Sequence, residues 1–151
     1  MNKSFGIALG VAAAIVAVIV LLMWKSDGKI GGVRVQRVED DVSFVVFDFT
    51  IKNDSGTDVV VSRITGSVET PTGIVEGNAV AARDLLTAFR AYPALGEQSS
   101  EPLKERDVLP AHRSIDRMVG IRFDLPEDAI LKGKTALKIE DATGAYTRLT
   151  R

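Results

Sequence analysis

The sequence predicts a mainly β domain: a sandwich of about seven short strands with one inserted helix, preceded by a single transmembrane helix. Three observations support this. Residues 5–24 form an apolar stretch without charge or proline. Short segments of alternating apolar and polar residues follow, separated by turns rich in Gly, Asn and Asp. One segment, near residues 78–92, has helical spacing instead.

The apolar stretch FGIALGVAAAIVAVIVLLMW, Phe5–Trp24, is long enough to cross a bilayer as a helix. At about 1.5 Å rise per residue it spans roughly 30 Å, the thickness of the hydrocarbon core. Because it is longer than the apolar region of a usual signal peptide, we expect a retained anchor over residues 1–25 rather than a cleaved leader. Trp24 and Lys25 stand where an interfacial aromatic ring and a snorkelling cation are expected.

Two small residues in this span, Gly6 and Gly10, form a GxxxG pattern. Small residues at this spacing let two membrane helices approach closely, so the pair is a candidate dimerisation face. An ordinary lipid-facing surface is the alternative.

The direction of the span is ambiguous from its flanking charges. Lys3 precedes it, whereas Lys25, Lys29, Arg34 and Arg37 follow it, which by itself favours a cytoplasmic domain. Long domains nevertheless cross membranes largely regardless of charge. We expect a bacterial inner membrane protein with its amino terminus inside and its domain outside.

The residues after the span divide into a short tether, residues 26–32, and a domain, residues 33–151. The tether is predicted because it contains three glycines. A first strand is predicted at Val33–Val38. The strongest strand signal is Val42–Lys52, which is apolar on both faces at its start. After a turn at residues 53–56, Asp58–Val68 is predicted to pair with it as a hairpin at the centre of a sheet.

The second half of the domain contains the inserted helix. Asn78 is its expected cap and Pro93 its expected end. If they are exposed, three apolar side chains at its carboxyl end form a candidate partner surface; simple core packing is the alternative. They are Phe89, Tyr92 and Leu95. Short strands are predicted at residues 74–76, 103–109, 117–125, 136–141 and 145–149, with a loop at residues 131–134.

The order of these features resembles known families. The strand FDFTIKNDSG runs into Asn53, the valine-rich strand DVVVSRITGSVET follows, and VGIRFDL comes after a loop that ends in Pro110. This is similar to the immunoglobulin-like sandwiches of the late-embryogenesis-abundant type 2 and water-stress-hypersensitivity class, and to bacterial membrane-anchored domains of unknown function. The resemblance implies a non-enzymatic extracytoplasmic domain with no catalytic residues, although the helix near residues 78–92 departs from the pattern.

Side chains for catalysis or metal binding are few. The chain has no cysteine and a single histidine, His112, which we interpret as a surface turn residue. Ser26 and Lys29 match a serine–lysine spacing, but that pair needs a helix to share one face. The acidic runs at residues 39–41 and 124–128 are typical of solvated turns. We therefore expect no catalytic, cofactor-binding or metal site, and the net charge of −1 makes nucleic acid an unexpected partner.

These observations predict a binding or structural role. We expect the bilayer and one or more membrane proteins as partners, with the domain acting as an accessory subunit. The alternative is a membrane-tethered module that binds a lipid or another small apolar ligand in an enclosed cavity. A hydrolase with an unrecognised site is a third possibility.

Overall fold

The computed structural model describes residues 23–151. Phe5, Gly6 and Gly10 lie outside the described residues, as does nearly all of the apolar stretch. Within the described part of the chain, no helix combines the length and apolar character needed to span a bilayer.

Residues 23–151 are mainly β, as predicted, and their strands form two sheets. The elements in chain order are β1 (Ser26–Glu39), β2 (Val42–Asn53), β3 (Val59–Thr70), β4 (Gly73–Asn78), α1 (Ala82–Ala91), a 3₁₀ turn (Pro93–Leu95), β5 (Glu101–Pro102), β6 (Val108–Leu109), β7 (Ser114–Phe123), α2 (Glu127–Lys132), β8 (Lys134–Asp141) and β9 (Tyr146–Thr150). The first sheet has the order β1-β2-β7-β5; the second has the order β4-β3-β8-β9, and β6 pairs with one end of β3.

The two sheets enclose the main core. Phe47 of β2 and Phe123 of β7 lie edge to face, with ring centroids 6.4 Å apart, and both are fully buried. The strands of the second sheet contribute Val61, Ile64, Leu137, Ile139 and Leu149 from across the interface. This arrangement is sandwich-like, because each sheet covers the apolar face of the other.

The outer face of β2 carries a second, smaller core. Phe44 and Val46 point away from the main core and pack with Met118 of β7. Leu85 of α1 and Leu95 of the 3₁₀ turn complete this cluster. The helix therefore forms a third layer over the first sheet, and the apolar start of β2 on both faces is explained.

The predicted hairpin between β2 and the following strand is wrong. β2 pairs with β1 and β7, whereas β3 pairs with β4 and β8 in the other sheet. The turn after Asn53 carries the chain from one sheet to the other. β2 and β3 therefore lie in opposite sheets, and each directs its apolar face into the main core between them.

Asn53 stabilises this crossing between the sheets. The side chain is 1% exposed, and its Nδ2 donates hydrogen bonds of 2.9 Å to the carbonyl oxygens of Thr57 and Leu109. Its Oδ1 accepts from the backbone N–H of Ser55 at 3.0 Å and from the Ser55 hydroxyl at 2.6 Å. One buried amide therefore fixes the β2–β3 turn and joins it to β6.

The predicted tether is also wrong. Residues 26–32 form the first half of β1 and pair with β2 from Asn53 to Asp48, with a register shift at Gly31. The close packing of the backbone explains one glycine: a Cβ at Gly28 would lie 2.5 Å from the Thr50 carbonyl oxygen. The glycines indicated flexibility, but in the sheet they permit close approach and a bulge.

Three boundaries in the second half also differ from prediction. The helix begins at Ala82 rather than Asn78, because residues 73–78 pair with β3 as strand β4. The predicted strand at residues 103–109 is reduced to Val108–Leu109. Residues 131–134 are not a loop, since α2 continues to Lys132 and β8 starts at Lys134.

Replacing Asn53 by alanine should destabilise the domain strongly. The change leaves the carbonyl oxygens of Thr57 and Leu109 without their donor, and we expect the free energy of unfolding of the full chain to fall by about 2–4 kcal/mol. Asn78→Ala is the matched control, because Asn78 is exposed, and should cost less than about 0.5 kcal/mol. Equal losses in the two variants, measured by denaturant unfolding, would contradict this role of Asn53.

Candidate functional site

The junction between the apolar stretch and the domain is the first candidate site. Met23 forms a parallel bridge with Tyr146, and the Trp24 backbone N–H donates a 3.0 Å hydrogen bond to the Tyr146 carbonyl oxygen. The Trp24 ring is partly buried against the main core. Trp24 was predicted to end the membrane helix, but the structure places it in an extended segment that belongs to the domain.

Lys25 connects this segment to the crossing loop. Its side chain is exposed, and its carbonyl oxygen accepts a 3.0 Å hydrogen bond from the Asp54 backbone N–H. Just beyond it, the hydroxyls of Ser26 and Thr147 are hydrogen-bonded. Residues 23–25 are therefore hydrogen-bonded to the domain, and strand β1 follows them directly at Ser26.

The second candidate site is the contact between the first sheet and the helical layer, by which we mean α1, the 3₁₀ turn and residues 96–99. Arg34 of β1 is the central residue of this contact. Its guanidinium contacts Asp48 of β2 through two hydrogen bonds, Nε to Oδ2 at 3.0 Å and Nη2 to Oδ1 at 2.9 Å. Nη1 donates to the carbonyl oxygens of Leu95 at 2.8 Å and Glu97 at 2.7 Å. The same group lies over the Phe89 ring, 5.0 Å from its centroid.

These contacts join the helical layer to the first sheet. The Ser99 hydroxyl also donates to Asp48, so residues 95–99 are bound to the sheet through one ion pair. From the sequence alone, Arg34 is distinguished only as one of the charges that follow the apolar stretch. The available signal was a basic residue on β1 and an acidic residue on β2, each at a polar position of a strand.

The three residues of the predicted partner surface fall in this layer. Leu95 is 2% exposed and belongs to the second core, so it is not available to a partner. Phe89 and Tyr92 are partly buried and pack against the same cluster. The arrangement matches the core-packing alternative for Leu95 and leaves parts of Phe89 and Tyr92 accessible.

A surface groove runs beside the helical layer. It has a volume of about 750 Å³ and lies between residues 79–82 on one side and residues 103–105 on the other. Small side chains, Ala79, Ala81 and Ala82, form one wall, while Ile64 and Leu103 also line it. The other wall, residues 103–105, belongs to the segment between the two-residue strands β5 and β6.

A second groove of about 460 Å³ adjoins the first, since Ala82, Leu103 and Lys104 line both. Two exposed apolar side chains lie along it: Leu86 of α1, 37% exposed, and Val108 of β6, 50% exposed. Exposed apolar residues beside a concave surface are typical of protein-binding sites. We call the two grooves together the helix-side groove.

The interior between the sheets is filled by side chains. The core residues from both sheets are almost completely buried and pack against one another. The grooves described for residues 23–151 are open at the surface. The binding of a lipid or another small apolar ligand stays an alternative prediction.

The remaining candidate groups are dispersed. His112 is exposed in a turn with φ of 61°, and its backbone N–H donates to the Asn53 carbonyl oxygen. Ser26 and Lys29 lie on strand β1 rather than on a helix. Among residues 23–151, no group of three or more His, Cys, Asp or Glu side chains is placed to hold a metal ion.

Comparisons with known proteins give no family. No family model matches the sequence, and no curated protein matches it. One similar solved structure is ycdA, a suspected lipoprotein of Bacillus subtilis, with a TM-score of 0.47 and 11% identity. It covers 85% of this chain, but this chain spans only 37% of that protein.

A second similar structure is a functionally unknown protein of Listeria monocytogenes, with a TM-score of 0.41 and 9% identity, over 88% of this chain and 91% of that one. Both are bacterial proteins. At these scores neither likeness carries an argument about function. Neither is described as a late-embryogenesis-abundant or water-stress protein, so that resemblance stays a prediction.

Replacing Arg34 by methionine should loosen the helical layer. The change keeps an apolar stem but removes the ion pair with Asp48 and the bonds to residues 95 and 97. Because the group is partly buried, we expect a loss of about 2 kcal/mol in the free energy of unfolding. Amide hydrogen exchange should quicken in Ala82–Ala91 more than in β2.

The matched control is Arg37→Met on the same strand, where the side chain is exposed and pairs only with nearby Asp40. It should change neither the stability nor the exchange of the helix measurably. If Arg34→Met leaves exchange in the helix as slow as Arg37→Met does, the layer is held by its apolar contacts alone.

Proposed function

We propose that this chain is a single-pass membrane-anchored, non-catalytic binding domain that acts as an accessory subunit of a membrane protein complex. The observation that carries the proposal is the junction: Trp24 packs against the core and β1 begins at Ser26, directly after the apolar stretch. A domain joined in this way has little freedom to search through solution. It suits a subunit that keeps a fixed position beside a partner.

The proposal includes finer features that the sequence suggests. The apolar stretch is a transmembrane helix, the sandwich is immunoglobulin-like, and the domain lies outside a bacterial inner membrane. The absence of cysteine and the single exposed histidine support a non-catalytic role.

The helix-side groove is the surface we assign to the partner protein. It combines an uneven, concave shape with the exposed side chains of Leu86 and Val108. Charged residues at its borders, including Lys104 and Arg117, supply the polar rim usual at such interfaces. An extended segment or a loop of a membrane protein would fit the groove.

Aspartate substitutions at the groove should release the partner. In the double variant Leu86→Asp and Val108→Asp, two exposed apolar contacts become charged, so the fold should persist while partner binding weakens at least about tenfold. The measurement is gentle detergent extraction of the tagged chain from its native membrane, followed by identification and quantification of the co-purified subunits.

The control is Ile74→Asp, which charges an exposed apolar side chain on β4, away from the two apolar residues of the groove. It should retain the partner at the level of the unmodified chain. Recovery of the unmodified chain as a lone monomer would count heavily against an accessory role. If the double variant and the control retain the partner equally, the partner binds another surface of the domain.

Protease treatment of intact spheroplasts should digest the domain. If the domain lies outside the inner membrane, added protease has access to its exposed turns, for example residues 39–41. A cytoplasmic marker protein must stay intact in the same sample. Protection of the domain until the spheroplasts are lysed would place it in the cytoplasm and overturn the proposed orientation.

A further inference from the structure

The side chain of Leu131 on α2 is exposed although it is large and apolar. It is 65% exposed, the largest fraction among the exposed large hydrophobic side chains of residues 23–151. Its neighbour Ile130 is buried in the main core, so α2 packs through one face and presents Leu131 on the other. Leu131 also lines two separate surface grooves, of about 430 Å³ and 360 Å³, and thus forms the ridge between them.

The two grooves carry opposite charge. The larger is bordered by three basic side chains and one acidic side chain: Lys134, Arg148, Arg151 and Glu69. The smaller is bordered by three acidic side chains and one basic side chain: Asp40, Glu127, Asp128 and Arg37. Within residues 23–151 the three basic side chains of the larger groove form no ion pair, whereas in the smaller groove Asp40 pairs with Arg37, Asp128 lies 4.0 Å from the Lys132 ammonium, and Glu127 has no ion pair. The paired side chains are all exposed, so these pairs are weak and the two grooves keep opposite net charge.

An apolar ridge between a basic and an acidic groove is complementary to itself. When two copies meet around a two-fold axis near Leu131, the basic groove of each faces the acidic groove of the other, and the two leucines are removed from water. A partner of a single charge sign would instead be repelled by one of the grooves.

We propose that the surface formed by Leu131 and its two flanking grooves binds a second copy of this chain. This interface is distinct from the helix-side groove, which lies beside α1 and β6. The proposal therefore adds a homodimer contact to the accessory role and does not depend on it. A chain could bind its membrane partner through one surface and its own copy through the other.

Charge reversal in matched pairs tests the arrangement. The first variant, Arg148→Glu with Arg151→Glu, makes both grooves acidic; the second, Asp40→Lys with Asp128→Lys, makes both basic. Each variant alone should place like charges in contact twice per dimer, and the dimer dissociation constant should rise about tenfold or more. An equimolar mixture should restore the dimer, because the all-acidic and all-basic surfaces attract.

The readout is sedimentation of the full chain in detergent, with thermal unfolding to confirm that each variant is folded. Arg83→Glu with Arg90→Glu on α1 is the control double reversal and should leave the dimer unchanged, because both side chains are exposed on another surface. A monomeric unmodified chain would overturn the proposal. Persistence of the dimer in either variant, as expected for association through the span alone, would overturn it too, as would a mixture that remains monomeric.

A single cysteine gives an independent test, because the chain contains none. In Leu131→Cys the two sulfurs of a dimer come together near the two-fold axis, so mild oxidation should convert most of the chain to a disulfide-linked dimer. Leu86→Cys is the control, since it is exposed on a different surface and should remain largely monomeric. Equal crosslinking at both positions would show random collision and contradict the proposed interface.

Discussion

The first half of strand β2 is apolar on both faces, and this constraint determines much of the domain. Its inner face, with Val45 and Phe47, needs the second sheet; its outer face, with Phe44 and Val46, needs a separate cover. Without an apolar cover, Phe44 and Val46 would be exposed to water, which is unfavourable for large apolar side chains. The helical layer, with Leu85 and Leu95 pointing inward, supplies that cover.

To cover Phe44 and Val46, the helical layer must lie close to the first sheet and in one orientation. Gly120 on β7 provides the space, because a Cβ there would lie 2.5 Å from the Phe44 ring and 3.0 Å from Leu85. Arg34 and Asp48 provide the orientation through a bidentate ion pair that also holds the carbonyl groups of residues 95 and 97. The helix-side groove follows from the same arrangement, since the segments that lead into and away from the helix form its walls.

Local patterns predicted the elements better than their partners. Val42–Lys52 was predicted almost as it occurs, because period-two alternation is a property of the segment itself. The hairpin after Asn53 was not, because the same turn residues serve a hairpin or a crossing between sheets, and distant Leu109 participates in the choice. Residues 26–32 became a strand because β2 offers them an unpaired edge that composition does not reveal. The Arg34 contacts join residues far apart in sequence, so no spacing rule could indicate them.

The residues that join the apolar stretch to the sandwich are themselves part of the folded domain. Trp24 and Ser26 are bound to β9, so the sandwich starts where the apolar stretch ends. If the apolar stretch spans a membrane as proposed, a domain joined in this way would hold its surfaces at a nearly constant height and angle above the bilayer. The helix-side groove and the Leu131 surface would then meet partners in the same membrane without the entropy cost of ordering a long linker.

Trp24 is the only tryptophan of the chain, and its fluorescence therefore reports on the junction alone. Time-resolved anisotropy of the full chain in lipid bilayers measures how freely this ring and its segment rotate. If Trp24 is packed against the sandwich core, fast local rotation should be a minor part of the decay, and the remainder should follow the slow motion of the whole domain. An anisotropy that decays mostly within a few nanoseconds would show a mobile linker and contradict a rigid junction.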